Sequence, residues 1–211
     1  MAADAPVSRG QLYSWRELET YPRDWMREAN LMTCWGVRGL PLERVAAALQ
    51  RLVDRHETLR TTYQLRDGKP VQQVHDAPTP PVERVDRVIR GLADWTDAER
   101  ERAEADGAPF SMIDDLGWRA TLVTSSGEPM FLSLCMSHQI VDIWSMLNLK
   151  AQFKALLADL DAPAPYAPTP RELACAAPGG QNGIDQYWRR LLDDRTRLGR
   201  WRRLEFFAVR R

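Results

Sequence analysis

The sequence predicts one α/β or α+β domain in which helices flank a mixed sheet. Segments with apolar residues at helical spacing alternate with two hairpin signals, in the order helix, hairpin, helix, hairpin, helix. The turn signals are Asp67-Gly68 and Ser125-Ser126-Gly127. The run Met130–Met136 is apolar on nearly every side, which is typical of a strand in a sheet covered on both faces. These observations favour layers of helices and strands over a helical bundle or a β-sandwich.

The first half of the chain is predicted to contain a strand, a helix and a hairpin. Residues 31–37 are predicted as the strand, and Pro41 suits the first position of the helix that follows. One face of that helix is formed by Val45, Leu49, Leu52, Val53 and His56. Residues 59–65 and 70–75 are then the arms of the first hairpin, on either side of the Asp-Gly turn.

The second half continues with an edge strand, a helix, the second hairpin and a further helix. Residues 82–88 alternate weakly, and Thr96-Asp97-Ala98-Glu99 matches a capping box that would start a charged helix. Residues 118–124 and 128–136 form the second hairpin. The helix that begins after it has apolar residues at helical spacing: Ile143, Met146, Leu147, Phe153, Leu156, Leu157 and Leu160.

Beyond Asp161 the composition changes. Four prolines between positions 163 and 170 indicate an extended connector, and residues 184–192 indicate one more helix. Residues 195–211 are basic with an apolar patch. We therefore divide the chain into a lobe at 1–194 and a tail at 195–211, which either docks on the lobe or connects it to a partner.

Composition excludes several classes of function. The 29 basic and 29 acidic side chains cancel, so no global field favours nucleic acid or an anionic membrane. No apolar run is long enough to span a bilayer and the N-terminus lacks a signal-peptide pattern, so we expect a cytoplasmic protein. The three widely spaced cysteines are predicted to be free thiols. The eight tryptophans either hold peripheral helices on the core or supply interface contacts.

The most informative segment is Ser137–Ser145, where a buried strand meets a helix. His138 would be held rigidly there and still face a cleft, and a histidine takes and returns protons near neutral pH. Asp142, four residues on, is close enough to interact with it. The alternative is structural: Asp142 caps the helix that begins at Ile143, and His138 is a hydrogen-bonded core histidine.

A second unusual segment, Arg55–Tyr63, concentrates charge at a helix-to-strand junction. Arg60 would enter the sheet first, and a buried guanidinium needs a carboxylate or carbonyl partner, for which Asp142 is a candidate. The alternative is a junction whose charges all lie in solvent. Ser137 and His138 point to opposite faces of an extended segment, which disfavours a Ser-His nucleophile pair. No metal-ligand spacing and no nucleotide-binding motif is visible.

Together these segments resemble the condensation domains of nonribosomal peptide synthetases, members of the chloramphenicol acetyltransferase-like superfamily. The resemblance extends over about residues 7–194. Five motifs carry it, in the family's order: Ser8, Gln11 and Trp15; Arg55–Thr61; Pro109-Phe110-Ser111; Ser137–Ile143, where the family has His-His-x-x-x-Asp-Gly; and Tyr187-Trp188 with Leu191. The implied fold is a single chloramphenicol acetyltransferase-like lobe, the N-terminal half of a domain that has two similar lobes.

The resemblance implies roles for individual residues. His138 corresponds to the catalytic histidine that assists attack on a carrier-bound acyl thioester, while Asp142 and Arg60 correspond to scaffolding residues. Ser137 replaces the family's first histidine, and Ile143 replaces a glycine beside the imidazole, which puts backbone geometry and acceptor access in question.

The resemblance also implies substrates and partners. The substrates are acyl groups tethered to phosphopantetheine on a carrier protein, the products are amides or esters, and the protein binds no cofactor itself. A solitary lobe would need a second one from another chain, from self-association or from sequence beyond this one. The alternative is a non-catalytic module that binds a carrier protein, a synthetase or a tailoring enzyme. A third interpretation is that the chain is a fragment of a larger synthetase.

Overall fold

A computed structural model describes residues 4–76, 78–111, 113, 115–165 and 167–175, apart from the side chains of residues 23 and 24. The strands are β1 Asp4–Pro6, β2 Asn30–Gly36, β3 Thr61–Arg66, β4 Lys69–Val74, β5 Val82–Asp86, β6 Trp118–Ser125 and β7 Glu128–Ser137. The helices are α1 Arg9–Thr20, α2 Leu42–Arg55, α3 Leu92–Asp106, α4 Ile143–Ala158 and α5 Pro170–Cys175, with short 3-10 helices at Arg23–Ala29 and Glu57–Arg60. The predicted class, helices flanking a mixed sheet, is confirmed.

The strands form two sheets. The larger has the order β2-β7-β6-β5, in which β5 runs parallel to β6 and the other pairs are antiparallel, so the sheet is mixed. The smaller has the order β1-β4-β3 and is antiparallel. Both predicted hairpins are present. Their turns have two consecutive residues at positive φ, Asp67 and Gly68 at 51° and 71°, and Ser126 and Gly127 at 52° and 83°. That geometry matches the right-handed twist of the strands.

The core lies on both faces of the larger sheet. On one face α2 and α4 pack over a cluster that includes Trp35, Leu52, Phe153 and Leu156. On the other face α3 covers Phe131 and its neighbours. After Glu128 every residue of β7 is buried, as the run of apolar residues predicts. The last residue of this doubly covered strand leads directly into the segment that carries His138.

The start of α3 differs from the prediction. The helix begins at Leu92 rather than at a capping box on Thr96, whose hydroxyl donates to the Leu92 carbonyl at 3.0 Å inside the helix. A threonine can form this bond back to the preceding turn as well as cap a helix, so the motif is ambiguous. The nearer signal is Asp94, whose carboxylate accepts from the Arg90 backbone N–H at 2.8 Å.

Three smaller differences concern helix ends and faces. Pro41 is the N-cap of α2, one residue before the predicted position. His56 follows α2 as its C-cap. In α4 the buried face is Met146, Leu149, Phe153 and Leu156, whereas Ile143 and Leu147 are exposed. The predicted helix at 184–192 and the tail lie outside the described residues.

The cysteines, the tryptophans and the helices bear on the other predictions from composition. All three cysteines are free, as predicted. Trp15, Trp35 and Trp118 are buried, while Trp25 and Trp144 are exposed, so both explanations of the tryptophans apply within the described part of the chain. None of the helices there combines the length and hydropathy of a membrane span.

Candidate functional site

The turn that follows β7 holds its backbone in one conformation. Five consecutive N–H groups, those of residues 137–141, all donate hydrogen bonds. Ser137 donates to the Gly117 carbonyl at 2.8 Å, and His138 donates to the Ala29 carbonyl at 2.9 Å. The Gln139 N–H donates to the Ser137 Oγ at 3.2 Å. The N–H groups of Ile140 and Val141 donate to the Ser137 carbonyl at 3.0 and 3.2 Å. Because no donor in this run is free, the position of the His138 Cα is fixed by both neighbouring strands and by its own turn.

Side chains alternate between buried and exposed along this turn. Ser137 and Gln139 are buried, whereas His138 between them is exposed. The structural alternative for His138, a hydrogen-bonded core histidine, is therefore wrong. A rigid backbone that carries an exposed imidazole is suited to proton transfer to or from a bound molecule.

Asp142 is the N-cap of α4. Its Oδ1 accepts from the Ser145 backbone N–H at 2.7 Å and from the Ser145 hydroxyl at 2.6 Å. These hydrogen bonds lower the pKa of the Asp142 carboxyl below its usual value, with a smaller contribution from the charge of His138. The carboxylate is thus ionised and caps the N-terminus of α4, which is the structural interpretation given above.

Arg60 lies at the junction of the second 3-10 helix and β3, but it does not pair with Asp142. Its guanidinium Nη1 donates to the His75 carbonyl at 2.7 Å, and its own carbonyl accepts from the His75 N–H at 2.8 Å. Arg60 therefore fastens β3 to the end of β4. The two segments singled out in the sequence are joined through packing and not through this ion pair.

The charges around Arg60 are not left in solvent either. Glu57 is only 9% exposed and receives a bidentate pair of hydrogen bonds from Arg171, one of them at 3.0 Å. These bonds lower the pKa of the Glu57 carboxyl. Arg55 donates to the Ala162 carbonyl. Both partners lie more than a hundred residues away along the chain, so local sequence contains no signal for them.

The replacement of glycine by Ile143 is accommodated without backbone strain. Ile143 is the first residue of α4 and is not among the described residues with positive φ. Its side chain is 49% exposed and lies beside two other apolar side chains of the same helix, Trp144 at 73% and Leu147 at 48%. We call these three residues the apolar face of α4. It lies next to the capping carboxylate of Asp142.

Two cavities border the turn. A small one of about 10 Å³, the size of one water molecule, is lined by residues that include Tyr63, Ser137 and Gln139. A larger one of about 450 Å³ lies between α4 and the end of α2 and is lined by His56, Ser145 and Gln152 among others. Burial lowers the pKa of His56, whose Nε2 lies 3.0 Å from the Gln152 Oε1. All the residues described as lining this cavity are uncharged if His56 is neutral.

Sequence reasoning missed Gln139 and the partner it binds on α1. Its side chain Nε2 donates to the Gln11 carbonyl at 3.1 Å, across 128 positions of the chain. Gln11 belongs to the predicted opening motif, and its own side chain completes a capping box with Ser8. The opening motif and the histidine motif are thus in direct contact. The acceptor is a backbone carbonyl, so the residue types of the two motifs gave no signal for this contact.

Comparison with known proteins agrees with this architecture. The family model described as Condensation domain matches residues 1–170. Among curated proteins, a bassianolide nonribosomal cyclodepsipeptide synthetase of Beauveria bassiana is 32% identical over 162 residues, 75% of this chain. A cyclosporin synthetase of Tolypocladium inflatum is 33% identical over 159 residues, 71% of this chain. The match covers 5% of the first relative and 1% of the second.

Solved structures show the same fold. A condensation domain that mediates chain release from the enacyloxin polyketide synthase aligns with a TM-score of 0.70 at 26% identity, covering 90% of this chain and 39% of that one. The X-domain from teicoplanin biosynthesis aligns with a TM-score of 0.66 at 22% identity, covering 99% of this chain and 41% of that one. A complex of that X-domain with OxyB contains a chain that aligns at 25% identity with a TM-score of 0.63, covering 82% of this chain and 38% of that one.

Proposed function

This chain belongs to the condensation-domain family of nonribosomal peptide synthetases, and we propose that it is the N-terminal, histidine-bearing lobe of a condensation-type acyltransferase. The lobe would extend over residues 1–194 and the tail over 195–211. The observation that carries the proposal is the exposed His138 on a turn whose five N–H groups are all hydrogen bonded. The reaction is amide or ester formation from an acyl thioester on a carrier protein, within nonribosomal peptide biosynthesis.

His138 would act as the proton-transfer group. The acceptor nitrogen or oxygen forms a bond to the thioester carbonyl carbon, the carbon–sulfur bond breaks, and the phosphopantetheine thiolate leaves. His138 takes the proton from the acceptor and returns it to the sulfur, so no covalent enzyme intermediate forms. The thiol belongs to phosphopantetheine on the carrier protein, and the lobe itself is proposed to bind no cofactor.

Asp142, Arg60, Ser137 and Ile143 would have structural parts in this site. Asp142 caps the N-terminus of α4 beside the histidine, and Arg60 fixes the neighbouring strand pair. The Ser137 hydroxyl accepts the Gln139 N–H and so closes the turn. Ile143 adds apolar surface next to the site.

A second lobe would complete the active site. The imidazole is exposed, and proton transfer to a thioester benefits from a site that excludes water. The apolar face of α4, next to Asp142, is a surface that a partner would cover. This chain also aligns with only 38–41% of each of the three solved chains named above. Another chain, self-association or sequence beyond this one would supply the partner.

The test is a condensation assay with a loaded carrier protein, an acceptor, and the candidate second lobe added or omitted. Product is expected only with the second lobe. His138→Ala is expected to lower turnover by about 10²- to 10⁴-fold, the usual contribution of a general acid or base. His75→Ala is the matched control, because that histidine bonds to Thr62 at 2.8 Å on the smaller sheet. Equal turnover in His138→Ala and wild type would refute the catalytic role.

The alternative proposal is a non-catalytic module that binds a carrier protein, a synthetase or a tailoring enzyme. The observation that favours it is the large exposed Trp144 indole, together with the similarity to the X-domain of the OxyB complex. Binding to a purified carrier or synthetase would then survive His138→Ala, with no turnover under any pairing. Failure to bind any such protein would exclude this function.

A further inference from the structure

We propose that Gln139 and Gln11 are positioning residues that order His138 relative to both sheets, an inference that rests on the proposed function of that histidine. The structure joins three parts of the chain at this point: α1, the turn after β7, and the smaller sheet. The joining groups are side-chain amides, which bring no charge close to the imidazole.

Gln139 connects the turn to α1. Its side chain is 7% exposed and points to the buried side of the turn, while His138 beside it points out. The Gln139 Nε2 donates to the Gln11 carbonyl at 3.1 Å. A second contact joins the same two elements, because the Ser14 hydroxyl lies 3.5 Å from the His138 carbonyl oxygen. That distance is at the upper limit for a hydrogen bond, so the Gln139 contact is the stronger of the two.

Gln11 connects α1 to the smaller sheet. Its side-chain Nε2 donates to the Tyr63 hydroxyl at 3.0 Å and lies 3.3 Å from the Gln72 Oε1. Tyr63 is 3% exposed on β3, Gln72 is fully buried on β4, and burial raises the pKa of the Tyr63 hydroxyl. The Gln72 Nε2 in turn donates to the Pro6 carbonyl on β1 at 2.7 Å. The chain of amides therefore touches every strand of the smaller sheet.

The consequence concerns the direction of the imidazole. Backbone hydrogen bonds fix the His138 peptide to the larger sheet, and the Gln139 side chain fixes the next residue to α1 and the smaller sheet. Without the Gln139 contact, His138 keeps its backbone hydrogen bond to Ala29, the residue before β2, but samples a wider range of orientations.

Removing this contact is expected to affect catalysis more than folding. Gln139→Met keeps the length of the side chain and deletes the donor. It also deletes an Oε1 that has no donor within hydrogen-bond geometry among the described residues, and an unsatisfied buried acceptor is unfavourable. The Gln139 amide also interacts with the Tyr63 hydroxyl, so the variant loses that second contact with the smaller sheet. Gln139 belongs to neither of the two hydrophobic core clusters, so the variant is expected to fold. Misplacement of a catalytic group by about 1 Å can lower turnover by about 10²-fold.

The experiment compares Gln139→Met with Gln64→Met in the full chain. Gln64 donates to the Gln73 Oε1 at 2.9 Å between β3 and β4, so its variant deletes an amide hydrogen bond without touching the turn. Gln11→Met is a further variant that keeps the accepting carbonyl and removes the contacts with Tyr63 and Gln72. The first measurement is NMR of the His138 side chain, using its ring signals and the couplings that report the rotamer about Cα–Cβ. The second is turnover and KM in the condensation assay with the second lobe.

Gln139→Met is expected to broaden or average the His138 signals and to lower kcat about 10- to 10²-fold with KM unchanged. Gln11→Met should have a smaller effect of the same kind, and Gln64→Met should have none. Unchanged His138 signals in Gln139→Met would overturn the proposal, and so would changed signals with unchanged kcat. If the wild type forms no product with any second lobe, the proposed function fails, while the NMR comparison still decides whether Gln139 orders His138.

Discussion

The role of Asp142 as a helix cap can be tested by replacing its charge and its acceptor separately. Asp142→Ala removes the oxygen that binds the Ser145 N–H and hydroxyl at 2.7 and 2.6 Å. Loss of an N-cap acceptor costs about 0.5–2 kcal/mol. Asp142→Asn keeps an acceptor oxygen at the same position and removes only the charge at the N-terminus of the 16-residue α4. An exposed charge there is worth about 0.3–1 kcal/mol, so Asn should cost clearly less than Ala.

The measurement is urea unfolding, with thermal unfolding as a second probe. For a chain of this size each kcal/mol shifts the Tm by about 2–4 °C. Asp159→Asn at the opposite end of α4 is the control, because a carboxylate near a helix C-terminus is unfavourable. That control should be neutral or slightly stabilising. Equal destabilisation by Asp142→Asn and Asp142→Ala, or no change with Asp142→Ala, would refute the capping role.

The same variants give a pH dependence with a definite sign. The pKa of the folded Asp142 carboxyl lies below its unfolded value of about 3.9, because hydrogen bonds to Ser145 favour the charged form. The extra stability is therefore complete above the unfolded pKa and is lost as the pH falls through the folded pKa. The stability difference between wild type and Asp142→Asn should shrink below about pH 4. In the condensation assay, Asp142→Asn should keep most of the turnover, since a scaffold does not transfer the proton.

Three further predictions concern other parts of the lobe. Trp144→Ser should weaken binding of a second lobe at least about tenfold in a titration. The urea midpoint should stay unchanged, because the Trp144 side chain is 73% exposed and does not pack in the core. Unchanged affinity would exclude the apolar face of α4 from the interface. Gly117→Ala should destabilise the chain by about 1–2 kcal/mol in urea, since Gly117 has φ +71° and an added Cβ would lie 3.1 Å from a side-chain carbon. Thiol labelling at pH 8 should modify the exposed Cys175 first, because burial raises the pKa of Cys34 and Cys135 to about 11; rapid labelling of all three would contradict the buried positions.

The features predicted correctly from sequence are those with a local physical signal. Both hairpin turns contain a glycine, which adopts positive φ at low cost, and the structure places Gly68 and Gly127 at such positions. The strand β7 and the helix α4 follow from a nearly continuous apolar run and from apolar residues at helical spacing. The prediction that Ser137 and His138 point in different directions agrees with the burial of the first and the exposure of the second, although His138 lies in a turn and not in the strand.

The features that sequence did not predict depend on contacts between distant segments. The Arg171–Glu57 pair spans 114 positions and the Gln139–Gln11 contact spans 128, and neither residue type marks its partner. Charge alone favoured a pair between Arg60 and Asp142. In the structure, the pairing of β3 with β4 places the His75 carbonyl beside Arg60, and the guanidinium donates to it. The sequence also did not predict which side of α4 is exposed, because apolar residues recur around much of that helix. Its buried face is the one that packs in the core with α2.

The two replacements in the histidine motif act in different physical ways. Ser137 is buried, and its hydroxyl accepts the Gln139 N–H, so this residue closes the turn by a hydrogen bond. Ile143 adds a half-exposed apolar side chain at the start of α4 without a change of backbone region. With Ser137 and Ile143 in place, all five N–H groups of residues 137–141 have acceptors. Ser137 and Ile143 therefore affect the surface around the imidazole and not whether the His138 backbone is held in place.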